Sequence, residues 1–172
     1  YSGDVIRSKK FVQYLLKKNN VEVVCLGPTK TVTTSKILTI RSFKKDNLLK
    51  CALSILKSLI KFRPLHFSFF YSTEIKEFIH DNHQNFDVIF CQSIRSFQFL
   101  PSKIYKKIIL DMGDLFSKNY NQTYRQLSFM NPLKIIYFFE SILVRDYENY
   151  CLKTADTTLL LSLIHISEPT RP

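Results

Sequence analysis

The chain has 172 residues, of which 45% are hydrophobic and 23% charged, with only three glycines and six prolines. That balance excludes a disordered, collagen-like or low-complexity protein and leaves enough chain for one domain with a sizeable core. The formal net charge of +11 points to an anionic partner such as phosphorylated lipid, an acidic membrane surface, a nucleotide or nucleic acid, against the bland alternative of a lysine-rich soluble surface.

In chain order the pattern alternates helix and strand. Ser2-Gly3-Asp4 and Arg7 open a helix from about Asp4 to Lys18, in which Phe11/Leu15 and Val12/Leu16 stack at i,i+4. Val21 to Leu26 reads as a buried strand closed by Gly27-Pro28, and Ile37 to Ile40 as a second short strand after a Thr/Ser-rich loop. Asp46 to Arg63 is a long helix whose leucines and isoleucines cover most of its circumference. Lys50, Ser54, Lys57 and Lys61 form its one polar stripe. A third helix spans about Thr73 to Asn82. The continuous apolar runs Asp87 to Cys91 and Lys107 to Leu110 then read as parallel strands buried on both faces, joined by a short helical segment from about Ser96. Pro132 begins a helix with Ile136, Phe139, Leu143, Tyr147 and Tyr150 inward, and Thr157 to Leu161 closes the pattern as a strand.

Strands separated by helices imply right-handed βαβ crossovers and a Rossmann-like parallel sheet flanked by helices. The strand expected before the Gly3 loop lies outside the chain, so the chain reads as truncated at its N-terminus. Leu161 to Pro172 resembles translated sequencing-adapter read-through, and is set aside as a tail beyond a domain of residues 1–160. No apolar run approaches the ~20 residues of a membrane span. The densest, Pro132 to Val144, is broken by Lys134 and Glu140. Cys25, Cys51, Cys91 and Cys151 show no Cys-x-x-Cys spacing, which fits a reduced, cytoplasmic setting.

In a parallel sheet, ligands bind beyond the carboxyl ends of the strands. That rule selects three loops. Gly3 permits close backbone approach at a helix N-terminus, with Asp4 beside it and Arg7 one turn in to contact a phosphate or carboxylate. Gln92, Ser93 and Arg95 follow the strand ending at Cys91 as candidate hydrogen-bond donors. Asp111 and Asp114 follow the next strand: one could bind a sugar hydroxyl or act as a base while the other orients the loop, or Asp111 could simply cap backbone N–H groups. His80 and His83 have a metal-like spacing without a third ligand, so no metal is expected there. No dinucleotide, P-loop or hydrolase motif is present. Residues 41–63 carry seven basic residues against Asp46 alone, either a membrane-contacting helix surface through Lys50, Lys57 and Lys61 or a core helix with a solvated lysine stripe.

The order of Ser2-Gly3-Asp4 with Arg7, Glu22 to Leu26, the basic apolar helix, Phe86 to Phe90, Ile109 to Asp114, and Tyr147-Glu148 before Ala155 to Leu160 resembles the N-terminal domain of family-four (group 1) glycosyltransferases with the GT-B fold. The likeness covers nearly all of residues 1–160. It implies the acceptor-binding half of a retaining transferase that moves a sugar from a nucleotide-sugar, its co-substrate, to a polysaccharide or lipid-linked acceptor at the inner face of the cytoplasmic membrane. The donor would be held mainly by a second domain, with Gly3 approaching its phosphate across the cleft, and no metal or other cofactor is implied. A histidine that many relatives carry after a middle strand has no match here; Gln92 or Ser93 stands near that place. The alternative is a non-enzymatic basic α/β module binding an anionic membrane or, less readily, nucleic acid, for which no recognition motif is present.

Overall fold

A computed structural model describes residues 3–60, 63–104 and 106–160. The chain is mixed α/β. Helix α1 (Gly3–Leu15) is followed by β1 (Val21–Leu26), β2 (Lys30–Ser35) and β3 (Leu38–Phe43). Then come α2 (Leu48–Ile60), a 3-10 turn (His66–Phe70), α3 (Thr73–Asn82), β4 (Val88–Gln92) and α4 (Ile94–Phe97). The chain continues through β5 (Lys107–Met112), α5 (Phe116–Gln126), α6 (Leu133–Thr154) and β6 (Thr157–Leu160).

These strands make two three-stranded sheets, in the orders β1-β3-β2 and β4-β5-β6. The second is wholly parallel, with Ile89 opposite Ile108 and Leu110 opposite Thr158. The apolar runs therefore pair as the βα alternation predicts. In the first sheet β1 is parallel to β3 but β2 is antiparallel to it, so the Thr/Ser-rich stretch is a hairpin strand rather than a loop. Its β-branched Thr31, Val32 and Thr33 suit an exposed pleat.

The core belongs to the second sheet. Ile108, Leu110 and Met112 of β5 are buried with Phe67, Cys91, Ile94, Phe97, Val144 and Cys151. The predicted inward face of α6 is corrected: Ile136, Phe139 and Tyr150 are exposed. Glu140, Val144, Glu148 and Cys151 are buried instead. The carboxylates are inside because each serves a neighbouring element. Glu140 accepts the Leu65 N–H at 2.6 Å and meets His66 Nδ1 at 3.0 Å. Glu148 accepts the Ser117 N–H at 3.1 Å and its hydroxyl at 2.5 Å, closing the start of α5. Neither the 3-10 turn nor α5 has a side-chain cap at its own N-cap residue, so α6 supplies both from a distance.

Helix α2 is also turned from its expected orientation. Cys51 is buried, and Ser54 and Ser58 lie 3.3 and 3.2 Å from the Ser68 hydroxyl, so these residues face the domain. Leu48, Leu49, Leu53 and Ile60 are exposed. Helix α3 has the bounds its periodicity gives, with Ser72 as the N-cap accepting from the Ile75 N–H at 3.4 Å. Among the described residues, no helix is long and apolar enough to cross a membrane. The tail from Leu161 onward lies outside the described residues, as do Ser2 and Lys61 and the side chains of Asp4 and Lys57.

Candidate functional site

The three loops selected by the strand-end rule come together at the carboxyl ends of β4 and β5. Gly3 is the first residue of α1. One turn on, the Arg7 guanidinium donates to the buried Asp111 carboxylate at the end of β5. Ser8 donates its hydroxyl to Gln92 Oε1 at 2.7 Å. Ser93 ties the crevice floor: its N–H donates to the Asp111 carbonyl at 2.8 Å, and its hydroxyl accepts the Arg95 N–H at 3.2 Å. The Arg95 guanidinium lies between the Phe70 and Phe116 rings, 4.6 Å from each centroid. The second of these rings opens α5 directly behind the Asp114 loop.

Two features mark this crevice chemically. Arg7 Nη1 and Arg95 Nε are buried donors with no acceptor among the described residues. Buried unsatisfied donors are rare, and cationic ones suit an acceptor-rich ligand such as a phosphate or a sugar hydroxyl. Ser93 adopts φ 68° and ψ 155°, a region nearly confined to glycine. Among the described residues it is the one non-glycine with positive φ. Such strain costs on the order of 1–3 kcal/mol and collects at sites where a loop must be held open. Ser93→Gly should therefore raise the unfolding free energy read from urea denaturation by about 1 kcal/mol, net of the lost hydroxyl contact. Unchanged or lower stability would show that Ser93 is unstrained.

The two aspartates part company. Asp111 is 3% exposed and accepts from the Arg7 guanidinium, so it is not open to solvent as a base would be and helps hold that guanidinium in place. Asp114 is exposed in the loop between β5 and α5 and is the carboxylate a ligand can reach. His83 Nδ1 lies 2.7 Å from the His80 carbonyl oxygen and 3.2 Å from that of Ile79, the helix-end contact its position suggests. Among the described residues, no three His, Cys, Asp or Glu side chains gather as a metal site.

Sequence reasoning passed over a second polar cluster behind the crevice. His66 pairs with Glu140 and lies 5.0 Å, ring to ring, from Tyr120. Its one legible trace is a carboxylate, Glu140, set within an apolar stretch of helix. Burial, and then the nearby Glu140 charge, push the Tyr120 hydroxyl up to about 12. Burial also lifts the thiols of Cys91 and Cys151 to about 12 and raises Tyr147. All are neutral acids that the fold holds protonated. Their stabilisation is intact below the unfolded pKa values of about 9 to 10 and is lost as pH rises toward 12. Urea midpoints should accordingly hold steady to about pH 9 and fall steeply above it; a flat profile to pH 11 would contradict this.

Comparison with protein-family models, with curated proteins and with solved structures finds no match to the chain. The functional reading therefore rests on the crevice itself.

Proposed function

We propose that this domain is the acceptor-side half of a retaining, GT-B type glycosyltransferase. It would act on a nucleotide-sugar held mainly by a second domain and on a polysaccharide or lipid-linked acceptor at the cytoplasmic face of a membrane. The observation that carries the reading is the convergence of Arg7, Gln92, Ser93, Arg95 and Asp111 at the carboxyl ends of two parallel strands. Two of the cations there keep buried donors without acceptors. Gly3 starts the helix that presents Arg7, so its N–H groups and the guanidinium can share one phosphate. Asp114 is the carboxylate positioned to take a hydroxyl or its proton. In this reading Asp111 orients Arg7 and takes no direct part in chemistry.

The order of the motifs, which resembles the N-terminal domain of family-four glycosyltransferases, supports the same reading. The test is sugar transfer by the protein made from its complete reading frame, assayed with a panel of nucleotide-sugars and extracted membranes. Transfer from at least one donor is expected; hydrolysis and transfer both absent across the panel would count against it.

Helix α2 favours a second role in the same protein. Its exposed Leu48, Leu49, Leu53 and Ile60 stand with exposed Lys44, Lys45, Lys50 and Arg63, an apolar face beside cations, as in helices that lie on anionic lipid. Were the domain a binding module without catalysis, this face would be its working surface. Lys50→Gln should weaken binding to phosphatidylserine vesicles about fivefold, from roughly 1 kcal/mol per charge. Binding insensitive to both Lys50 and salt would remove this role.

A further inference from the structure

We propose that the turn between α5 and α6 seats in the headgroup and upper acyl region of an anionic bilayer, a lipid contact separate from helix α2. The proposal stands on the helical hairpin itself and holds whether or not the protein transfers sugar.

Helices α5 and α6 pack against each other as an antiparallel pair. Glu148 closes the start of α5, and the Tyr120 and Tyr137 rings lie 5.7 Å apart. Farther along, the Tyr124 and Phe138 rings are 5.3 Å apart, and Lys134 Nζ donates to the Leu127 carbonyl at 3.0 Å beside the turn. Helix α6 leads back to the start of β6, which is parallel to β5. Its 22 residues span about 33 Å, so its first turns, and residues 127–132 before them, lie on the carboxyl-end side of the sheet. The crevice opens on the same side.

The turn is apolar and bare. Phe129 and Met130 are each 93% exposed, and Leu133, Ile135, Ile136 and Phe139 are exposed behind them. Large apolar side chains gathered this closely at a surface mark a contact with another apolar phase. Tyr124, Phe129, Ile135 and Phe138 line an open cleft of about 410 Å³ among them, room for a segment of acyl chain.

Charge selects the occupant. Residues 115–139 carry Lys118, Arg125 and Lys134 and no aspartate or glutamate, and Glu140, next in the chain, is buried. Lys134 lies over the Tyr124 and Phe129 rings, 5.3 and 5.6 Å from their centroids, which sets its charge just behind the apolar tip. A tip of this kind, backed by tyrosines and by cations alone, matches the two layers of an anionic membrane: acyl chains first, then phosphate and carboxylate headgroups. A second copy of this chain would bring the same cations and a formal net charge of +11 against them, so self-association through the tip is disfavoured. A protein partner would need a preformed pocket for each projecting side chain, whereas a bilayer takes both in any rotamer and spares that ordering cost.

The chain has no tryptophan, so Phe129→Trp makes a single fluorescent reporter, and Tyr14→Trp at an exposed position of α1 is its control. Vesicles of phosphatidylcholine with phosphatidylserine are added to the full chain. The emission of the Phe129→Trp protein should shift to the blue and be quenched by brominated acyl chains, while that of the Tyr14→Trp protein stays in place. In a second measurement, Phe129→Ser/Met130→Ser should weaken vesicle binding at least about tenfold and Arg125→Gln about fivefold. Urea midpoints should stay near the parent's, because the side chains changed are exposed. Binding with no shift in the Phe129→Trp emission and no loss in the serine variant would assign the contact to another surface, α2 among them, and overturn the proposal. Absence of vesicle binding would overturn it as well. So would a blue shift that follows protein concentration without lipid, since a second copy would then cover the tip.

Discussion

Glu140→Ala is expected to cost about 3–5 kcal/mol of folding stability, a large part of the roughly 5–15 kcal/mol that holds a domain of this size. Glu140 is 3% exposed and sits within an apolar stretch of α6, yet both its oxygens are used. One accepts the Leu65 N–H, which the 3-10 turn leaves without a cap of its own, and the other holds His66. Truncation leaves that half-buried N–H and the half-buried imidazole without their carboxylate, and His66 Nε2 already lacks a partner among the described residues. Desolvation of these groups adds to the loss of the pair itself. Glu140→Gln keeps an acceptor for Leu65 and should cost only about 1–2 kcal/mol. Chemical denaturation of the three proteins decides this: a loss under about 1 kcal/mol for the alanine variant would mean that solvent replaces the carboxylate, and the burial would then be incidental.

The second large effect is on turnover. Under the proposed function, Arg7→Ala should lower kcat/KM for sugar transfer by about 10²-fold or more, the usual cost of removing one charged contact to a developing anion. Asp111→Asn should produce a similar loss through misplacement of the guanidinium. The informative measurement is the double variant. If Asp111 acts through Arg7, the two losses will not add, and Arg7→Ala/Asp111→Asn will resemble Arg7→Ala alone. Additive losses would give Asp111 a chemical role of its own. Asp114→Asn should reduce kcat with little change in the denaturation midpoint, because Asp114 is exposed; unchanged kcat would remove it from the reaction.

Where local pattern and tertiary need agreed, the sequence was legible. Helix α3 follows from the spacing of Ile75, Phe78 and Ile79. Strands β4 and β5 follow from runs too apolar to sit at a surface. Strand β2 was not legible, because every residue in it is exposed and it exists only through pairing with β3. Helix α5 was hidden for a related reason. Its Asn, Thr and Tyr residues are mediocre helix formers, and packing against α6 together with the Glu148 cap sustains it. The inward face of α6 was misjudged by counting apolar residues alone, when two carboxylates were recruited inward by N–H groups elsewhere.

The crevice divides along the same line. Arg7, Gln92, Ser93, Arg95 and Asp111 could be chosen because the strand-end rule is topological and needs no contacts. The pairing of Arg7 with Asp111 crosses 104 residues of sequence, and that of His66 with Glu140 crosses 74. No local pattern specifies such partners. The strain at Ser93 leaves no trace in its residue type either, since glycine would be the ordinary choice there.

The most direct test of the crevice as a ligand site is a titration of the isotope-labelled full chain with a nucleoside diphosphate-sugar and with an acceptor disaccharide, followed by backbone amide shifts. Shifts concentrated at residues 3–8, 92–95 and 111–116 are predicted, with those at 3–8 and 92–95 lost in Arg7→Ala. Shifts confined to residues 44–55, or none at millimolar ligand, would contradict the assignment of the carboxyl-end crevice as the site.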